Sequence, residues 1–259
     1  MRNLLFTIQY QGSRYHGFQV QNNAVTVAQI FQDALEQVTG QRSDIKGCSR
    51  TDSGVHANMF CVSVKTESKI PCQNLVRAFN VKLPPDISVL GCREVPLEFH
   101  ARYSCQGKRY IYKIHNSPVR DAFSHQLVYE YPYPLDAELL NCQAQDFVGT
   151  YDFSSFCAAK TSVKDTVRTI TACGVERQGD SVTFFVEGDG FLYNMVRIMV
   201  GTLLQIGAGG LPQGSIPKII GAKSRSAAGP TAPPWGLYLD KVFYPQNQLG
   251  LPGEEQANG

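Results

Sequence analysis

The chain has 259 residues, of which 43% are hydrophobic and 18% are charged. A chain of this length and composition can bury the core of one large domain or two smaller ones, and it is unlike a disordered or fibrous protein. The formal net charge of +2 is too small to indicate a nucleic-acid partner by itself, so such a partner has to be argued from local groups of basic residues.

The first half of the chain predicts alternating strands and helices. Leu4, Phe6 and Ile8 alternate with more polar residues, as in a half-buried strand. A helix follows, with Thr26 and Gln29 as a capping box at its start and Gly40 at its end. The pattern then predicts a strand through Phe60, Val62 and Val64, a short helix around Leu75, Val76 and Phe79 that ends before Pro84, and a strand in "DISVLGCREV".

A similar order begins again after residue 105. The elements predicted there are a strand in "KRYIYKIH", a helix near 136–145, strands near 166–176 and 181–187, a long helix at 191–206 and a strand at 237–244. We therefore predict an α+β fold with two halves, 1–105 and 106–245, each with a mixed, mainly antiparallel sheet and packed helices. Residues 246–259 are predicted to be a polar tail.

The eight cysteines do not indicate a disulfide framework. The chain is long enough to fold without disulfides, it has no C-x-x-C pair, and several cysteines lie in apolar runs such as "NMFCVSV". We predict reduced, mostly buried thiols in a cytosolic protein. The N-terminus does not resemble a signal peptide, and the most apolar segment is interrupted by Asn194 and Arg197, so no transmembrane helix is predicted.

The segment "GCSRTDSGVHA" places Arg50 two residues before Asp52, between glycines. Composition alone is equally compatible with a turn that carries a surface ion pair. Val55 and the strand that follows draw the loop towards a core, where a carboxylate is either paired with a cation or has a raised pKa. Either state would suit an active site.

Arg197 is the only charged residue between Phe191 and Ile206. It could lie on a wet face of its helix and extend outward. Alternatively it pairs with a buried anion, because burying an unpaired guanidinium costs roughly several kcal/mol. We favour the second interpretation, with Asp52 as the leading candidate for the partner.

Several other motifs resemble known functional patterns but do not match them. "GDGFLYN" and "IGAKS" depart from the nucleotide-binding patterns at Tyr193 and Ala222. The triplet at Asp52 occurs once, whereas aspartic proteases need two such carboxylates. The histidines have no metal-ligand spacing, so no metal site is predicted, and His56 is interpreted as a side chain that braces the loop.

Basic and aromatic residues alternate at several places, as expected of a protein that holds a folded RNA and stacks on its bases. They are Arg14 with Tyr15, Arg102 with Tyr103, and Lys108 to Tyr112; Lys160, Lys164 and Arg168 in one loop and Lys218, Lys223 and Arg225 in another add further charge.

"GCSRTDSGVHA" resembles the G-R-T-D-A-G-V-H-A motif of the TruA-type tRNA pseudouridine synthases. Six further blocks resemble that family in the same order, over roughly residues 4 to 245: "YQGSRYHGFQVQ", "FNVKLPPDISV", "FHARYSCQGKRYIYKI", "DFSSF", "GFLYNMVRIMVGTLLQIG" and "APPWGLYL". Ser49 and Ser53 depart from the family's glycine and alanine. Both are small, so only a slight difference in loop conformation is expected.

The resemblance implies a pseudouridine synthase fold with ferredoxin-like or RNA-recognition-like halves and an active-site cleft between them. It implies a cytoplasmic, homodimeric enzyme that flips a uridine out of tRNA and isomerises it to pseudouridine at positions 38 to 40, without metal or other cofactor. Asp52 would be the catalytic aspartate and Arg197 its paired cation. Arg50 would help to extrude the base, Tyr110 would lie against the uracil, and Leu237 would line the pocket.

Two other functions remain open from the sequence. One is a non-catalytic RNA-binding module that keeps this fold, although binding alone has no need for a buried carboxylate. The other is a hydrolase that uses Asp52, which would release free uracil or a cleaved peptide. The route of the isomerisation also remains open, since a carboxylate could act as a nucleophile or as a base.

Overall fold

A computed structural model describes residues 1–158 and 165–249 of the chain. The chain divides into two compact units. Among the described residues, the first consists of Met1–Gln106 together with 241–249, and the second of Gly107–Asp240. Lys160 and Lys164, and residues 250–259 of the predicted tail, lie outside the described residues.

The first unit has the order β-α-β-β-α-β that is typical of ferredoxin-like folds. Its sheet has the order β4-β1-β3-β2, and all neighbouring strands are antiparallel. The elements are β1 (Arg2–Tyr10), α1 (Val27–Thr39), β2 (Ile45–Gly47), β3 (His56–Thr66), α2 (Cys72–Lys82) and β4 (Ile87–Val95).

The ends of α1 follow from two residues, as predicted. The Thr26 side chain accepts a hydrogen bond from the Gln29 backbone N–H, which supplies a partner for one of the unpaired N–H groups of the first turn. Gly40 ends the helix in the left-handed conformation, with φ of 76°. This prediction is confirmed.

The two central strands of the first unit, β1 and β3, are mostly buried on both faces. On one face, Phe6 packs against Phe31 of α1 and Phe79 of α2. On the other face the chain after β4 covers the sheet, because the Asn3 amide donates to the carbonyls of Pro96 and Phe99. The prediction of a half-buried first strand is therefore wrong at Leu5, which is only 3% exposed.

The second unit repeats the same order with additions. The strand order is β10-β5-β9-β8-β7, with the short β6 parallel to β5. The elements are β5 (Gly107–His115), β6 (Tyr129–Glu130), α3 (Ala137–Ala144), β7 (Gly149–Asp152), β8 (Val167–Gln178), β9 (Ser181–Gly188), α4 (Met195–Gly207), α5 (Ile216–Ala222) and β10 (Leu237–Phe243). The part of β10 after Asp240 belongs to the first unit. The prediction of an α+β fold with two similar halves is confirmed.

Helix α4 begins later than predicted. The apolar run suggested a start at 191, but the backbone of Asn194 is left-handed, with φ of 60° and ψ of 9°, so the helix begins at Met195. The strands β2, β6 and β7 and the helix α5 were not predicted, because each is short or weakly periodic.

The thiols are less uniformly buried than predicted. None of the eight cysteines, all of which are among the described residues, forms a disulfide. Four are buried, three are half-buried and Cys142 is exposed, which corrects the expectation of mostly buried thiols. Over residues 1–158 and 165–249, every helix is too short or too polar to cross a membrane.

Candidate active site

The loop that carries Arg50 and Asp52 connects β2 to β3 in the first unit. Arg50 is exposed and Asp52 is half-buried. Thr51 between them is buried, with 8% of its surface exposed. The loop is therefore anchored through the buried Thr51, and the two charged residues next to it are more exposed.

Residues 10–18, which follow β1, hold this loop through its backbone. The Phe18 N–H donates to the Thr51 carbonyl at 3.3 Å, and the Gly54 N–H donates to the Tyr15 carbonyl at 3.2 Å. Gly17 lies so close that a Cβ atom there would overlap the carbonyl oxygen of Thr51. Two segments that are about 35 residues apart in sequence are thus joined by backbone hydrogen bonds next to Asp52.

Buried side-chain hydrogen bonds reinforce the same contact. The hydroxyls of Tyr10 and Thr51 are 2.8 Å apart. The Gly12 N–H donates to Nδ1 of His56 at 2.9 Å, so the ring proton of His56 lies on Nε2. The interpretation of His56 as a bracing side chain is confirmed by this contact.

Arg14 and Tyr15 pair with Asp86 inside the first unit. The Tyr15 hydroxyl donates to Oδ1 of Asp86 at 2.6 Å, and Arg14 contacts Oδ2 at 3.2 Å. Burial, and then the neighbouring Asp86 carboxylate, raise the pKa of Tyr15 well above its usual value. Because Tyr15 is 4% exposed, the expectation that it offers a stacking surface is wrong.

The other basic and aromatic pairs differ in exposure. Tyr103 is 78% exposed and fits the expectation of an accessible ring. Tyr112 is fully buried, and its hydroxyl donates to the Pro233 carbonyl, so it is not available for stacking. Arg109 forms ion pairs with Glu187 at 3.1 Å and Asp240 at 3.5 Å, which ties its charge to the second unit's own sheet.

Tyr110 and Leu237 lie on neighbouring strands, β5 and β10, of the second unit. Both are buried, with 7% and 6% of their surfaces exposed. The ring of Tyr110 meets Phe191 edge to face, with the ring centroids 5.0 Å apart. The edge-to-face contact with Phe191 restricts the orientation of the tyrosine ring.

Arg197 lies in the first turn of α4 and is half-buried. Its Nε donates to the Ala232 carbonyl at 2.7 Å, and Nη1 donates to Oδ1 of Asn194 at 2.8 Å. The Ala232 N–H in turn donates to the Arg197 carbonyl at 3.1 Å. The guanidinium is therefore anchored to the second unit at two edges and does not simply extend into solvent.

The residues that hold Arg197 were not predicted from sequence. Asn194 was noted only as an interruption of the apolar run, although an asparagine three residues before a lone arginine is within reach on a helix. Ala232 carries no chemical signal, because it acts through its backbone from 35 residues away.

Among the described residues, the predicted site residues neither form part of a metal-binding group nor line the cavity of the second unit. Within the described ranges, no three His, Cys, Asp or Glu side chains form a group that could hold a metal ion. A cavity of about 480 Å³ in the second unit is lined by residues around Asp136, Asn141 and Arg177, and none of the predicted site residues lines it.

The fold and these residues define the class of protein. It is an α+β protein of two like units, in which the first carries a firmly held aspartate loop and the second carries an anchored arginine and a buried tyrosine. The model of a family described as tRNA pseudouridine synthase matches residues 7–104 and 143–245. These ranges include four of the five predicted site residues, and Tyr110 lies outside them.

Curated relatives agree with this match along their entire length. The proteins named tRNA pseudouridine synthase A from Caldicellulosiruptor saccharolyticus and Acetivibrio thermocellus are 44% and 45% identical over 244 residues, which is 94% of this chain and 100% of each relative. The one from Exiguobacterium sibiricum is 41% identical over 251 residues, 97% of this chain and 100% of the relative. This chain belongs to the tRNA pseudouridine synthase family.

A solved structure is similar only at a distance. A chain of a Cbf5-Nop10-Gar1 complex aligns with 76% of this chain and 52% of its own length, with a TM-score of 0.31 and 10% identity. A likeness at this level carries no argument about the site.

Proposed function

We propose that this protein isomerises uridine to pseudouridine in tRNA, on the 3′ side of the anticodon stem-loop at positions 38 to 40. Membership of the family supports the reaction and the substrate class. The observation that carries the assignment to a site is the loop of Asp52, which buried contacts with residues 10–18 hold in place on both sides of the carboxylate.

The reaction breaks the bond between C1′ of the ribose and N1 of uracil and forms a bond from C1′ to C5. The proton on C5 is lost to solvent and N1 gains one, so the reaction needs no net oxidant, reductant or cofactor. The Asp52 carboxylate acts either as a nucleophile at C1′ or as a base that removes the C2′ proton. Both routes need an ionised carboxylate, which a neighbouring cation favours.

The remaining site residues have supporting roles in this proposal. Arg197 is the cation paired with Asp52, and the exposed Arg50 enters the RNA to help extrude the uridine, which cannot react while it is stacked. The ring of Tyr110 lies against the flipped uracil, and Leu237 forms part of the apolar wall. The anchoring of Arg197 and the burial of Tyr110 and Leu237 suit groups that have to be in place before the base arrives.

Tritium release from tRNA that carries 5-tritiated uridine tests the proposal. We expect Asp52→Asn to abolish release while tRNA binding, measured by filter retention, is kept. Asp44→Asn is the matched control, because Asp44 is an exposed aspartate in the same unit that pairs only with Lys46 among the recorded ion pairs. An unchanged rate in Asp52→Asn would reject the assignment.

The same assay separates the two other functions. Binding of tRNA without release on any tRNA would favour a non-catalytic RNA-binding module. Release of free uracil would favour a hydrolase. Transcripts in which the uridines at positions 38, 39 and 40 are replaced one at a time by cytidine would test the position, since release should fall only with these replacements.

We also propose a cytoplasmic homodimer, as the family resemblance implies. Light scattering should then give twice the chain mass of 28.6 kDa. Cell fractionation should place the protein with the cytoplasmic tRNA. A monomer mass in the active enzyme, or recovery with the membrane, would contradict these two points.

A further inference from the structure

Asn194 has an unusual backbone for the residue that precedes a helix. It is left-handed, with φ of 60° and ψ of 9°, and only two other non-glycine residues in the described ranges, Gln126 and Lys223, share a positive φ. For a residue other than glycine this conformation is strained, and asparagine is one of the few residues that tolerate it. A strained backbone close to an expected site motivates the hypothesis that the strain serves a function.

The Asn194 side chain does not perform the usual task of that position. An asparagine before a helix normally has an extended backbone, and its side-chain oxygen accepts from an N–H of the first turn, which stabilises the helix. Asn194 makes no such capping bond. Its Oδ1 accepts from Nη1 of Arg197 at 2.8 Å instead.

Arg197 is held on a second edge by the chain before β10. The Ala232 carbonyl accepts from Nε at 2.7 Å, and the Ala232 N–H donates back to the Arg197 carbonyl at 3.1 Å. Thr202 fixes the same segment, since its hydroxyl accepts from the Gly229 N–H at 3.0 Å. Two hydrogen bonds to one planar group define the plane of the guanidinium.

Both acceptors around Arg197 are neutral. An amide oxygen and a backbone carbonyl orient the guanidinium without neutralising its charge, whereas a carboxylate at either place would form an ion pair with it. The guanidinium has five N–H donors, and these two contacts use only two of them. These two contacts orient a charged group without forming an ion pair with it.

We propose that Asn194 is a positioning residue that orients Arg197 towards the reacting carboxylate, and that its left-handed backbone is kept for this purpose. The inference rests on the proposed function, in which Arg197 is the cation paired with Asp52. Without Asn194, the long arginine side chain would sample further rotamers, and the carboxylate would lose a fixed partner.

Asn194→Gly is the decisive variant, because glycine adopts the left-handed conformation readily and removes only the amide acceptor. We expect kcat for tritium release to fall by about 10- to 100-fold, in line with a small displacement of a catalytic group. The KM for tRNA should stay within about twofold, because Asn194 does not hold the RNA. The midpoint of thermal unfolding should change little.

Gln126→Gly is the matched control. Gln126 is an exposed non-glycine residue with φ of 59°, so this change relieves the same backbone conformation elsewhere in the second unit. We expect it to leave kcat unchanged. A second variant, Asn194→Asp, keeps an acceptor but adds a charge that pairs with Arg197, and it should lose at least as much activity as Asn194→Gly. Wild-type activity in Asn194→Asp would contradict the role of a neutral acceptor.

A double variant separates positioning from a general structural effect. If Asn194 acts through Arg197, adding Asn194→Gly to Arg197→Lys should slow release by less than twofold beyond Arg197→Lys alone. Fully additive losses, or wild-type kcat in Asn194→Gly, would overturn the inference. Retained tritium release in Asp52→Asn would reject the proposed function. If Asp52→Asn abolished release but Asn194→Gly kept the wild-type kcat, only the role of Asn194 would be rejected.

Discussion

Gly17 makes the closest approach between the aspartate loop and the segment that holds it. Its φ of +81° lies in the left-handed region, which glycine adopts without strain. A Cβ atom would overlap the carbonyl oxygen of Thr51, and it would also press on the backbone of Asp52. The position of the carboxylate therefore depends on the absence of a side chain at residue 17.

We expect Gly17→Ala to slow tritium release by at least about 10-fold, because a shift of the loop by about 1 Å misplaces the reacting group. Gly40→Ala is the matched control: it has φ of +76°, and no atom lies within 4 Å of the added Cβ. It should lose about 1 kcal/mol of stability from backbone strain alone and keep its kcat. Equal kcat values in the two variants would show that the loop does not rely on Gly17.

At this scale, sequence reasoning works where the signal is local. Thr26, Gln29 and Gly40 predicted both ends of α1 because capping depends on residues within one turn. The motif around Asp52 likewise identified its loop. The burial of Tyr15 could not be predicted in the same way, since it depends on Asp86, which is 71 residues further along the chain.

Helix α4 and the segment before β10 form the element-scale contact that places Arg197. Gly201 faces this segment, and a Cβ there would overlap the carbonyl oxygen of Pro230. Thr202, the next residue, bonds to the Gly229 N–H. The small residues of α4 thus allow the backbone of residues 229–232 to lie directly on the helix, where Ala232 reaches Arg197.

We expect Gly201→Ala to destabilise the protein by about 1–3 kcal/mol, because the backbone contact cannot absorb an added methyl group. Helix propensity alone would favour alanine by about 1 kcal/mol, so the expected sign opposes the local preference. Urea denaturation would measure the free energy of unfolding, and kcat should fall as Ala232 moves away from Arg197.

Gly207→Ala, at the last residue of α4, is the control for this change. Its added Cβ would meet the flexible end of Leu140 at 3.2 Å, which can move aside. Its stability should lie within about 0.5 kcal/mol of the wild type, as for most changes that meet no rigid neighbour. If both variants were equally stable, the contact between α4 and the segment before β10 would not be tight.

Most helices and strands of each unit could be predicted from sequence, but some of their bounds and their burial could not. Periodicity found β5, β8 and β9, since each is long enough to show its pattern. It placed the start of α4 too early, because residues 191–193 are apolar yet precede the helix, which begins only after the left-handed Asn194. It also missed the burial of Leu5, which depends on the chain that covers the second face of the sheet.

At the scale of the whole molecule, the first unit is built from two distant parts of the chain. Residues after Asp240 return to it: the Phe243 carbonyl accepts from the Gln106 N–H at 2.9 Å, and the Tyr244 hydroxyl donates to the Ala101 carbonyl at 2.6 Å. Local patterns cannot predict which unit a terminal strand joins, because they carry no information on distant contacts. The unit that holds Asp52 thus includes contacts made by Phe243 and Tyr244, far along the chain.

Tyr244 provides the test of this dependence. It is 8% exposed, its ring centroid is 5.1 Å from that of Phe99, and burial raises the pKa of its hydroxyl far above its usual value, so it remains a neutral donor at physiological pH. We expect Tyr244→Ala to cost about 3–5 kcal/mol of stability, as for other large buried aromatic residues. Tyr244→Phe, which keeps the ring and loses one hydrogen bond, should cost about 1 kcal/mol.

Hydrogen exchange should show where Tyr244→Ala loosens the molecule, because regions of one protein can open separately. We expect the amides of β1 and β3 to lose more protection than those of β8 and β9. Phe184→Ala, which removes a ring that is 2% exposed in β9, should give the opposite pattern. If both variants lowered protection equally in all four strands, the two units would unfold as one. Tyr244 would then stabilise the whole molecule and not the unit that carries Asp52 in particular.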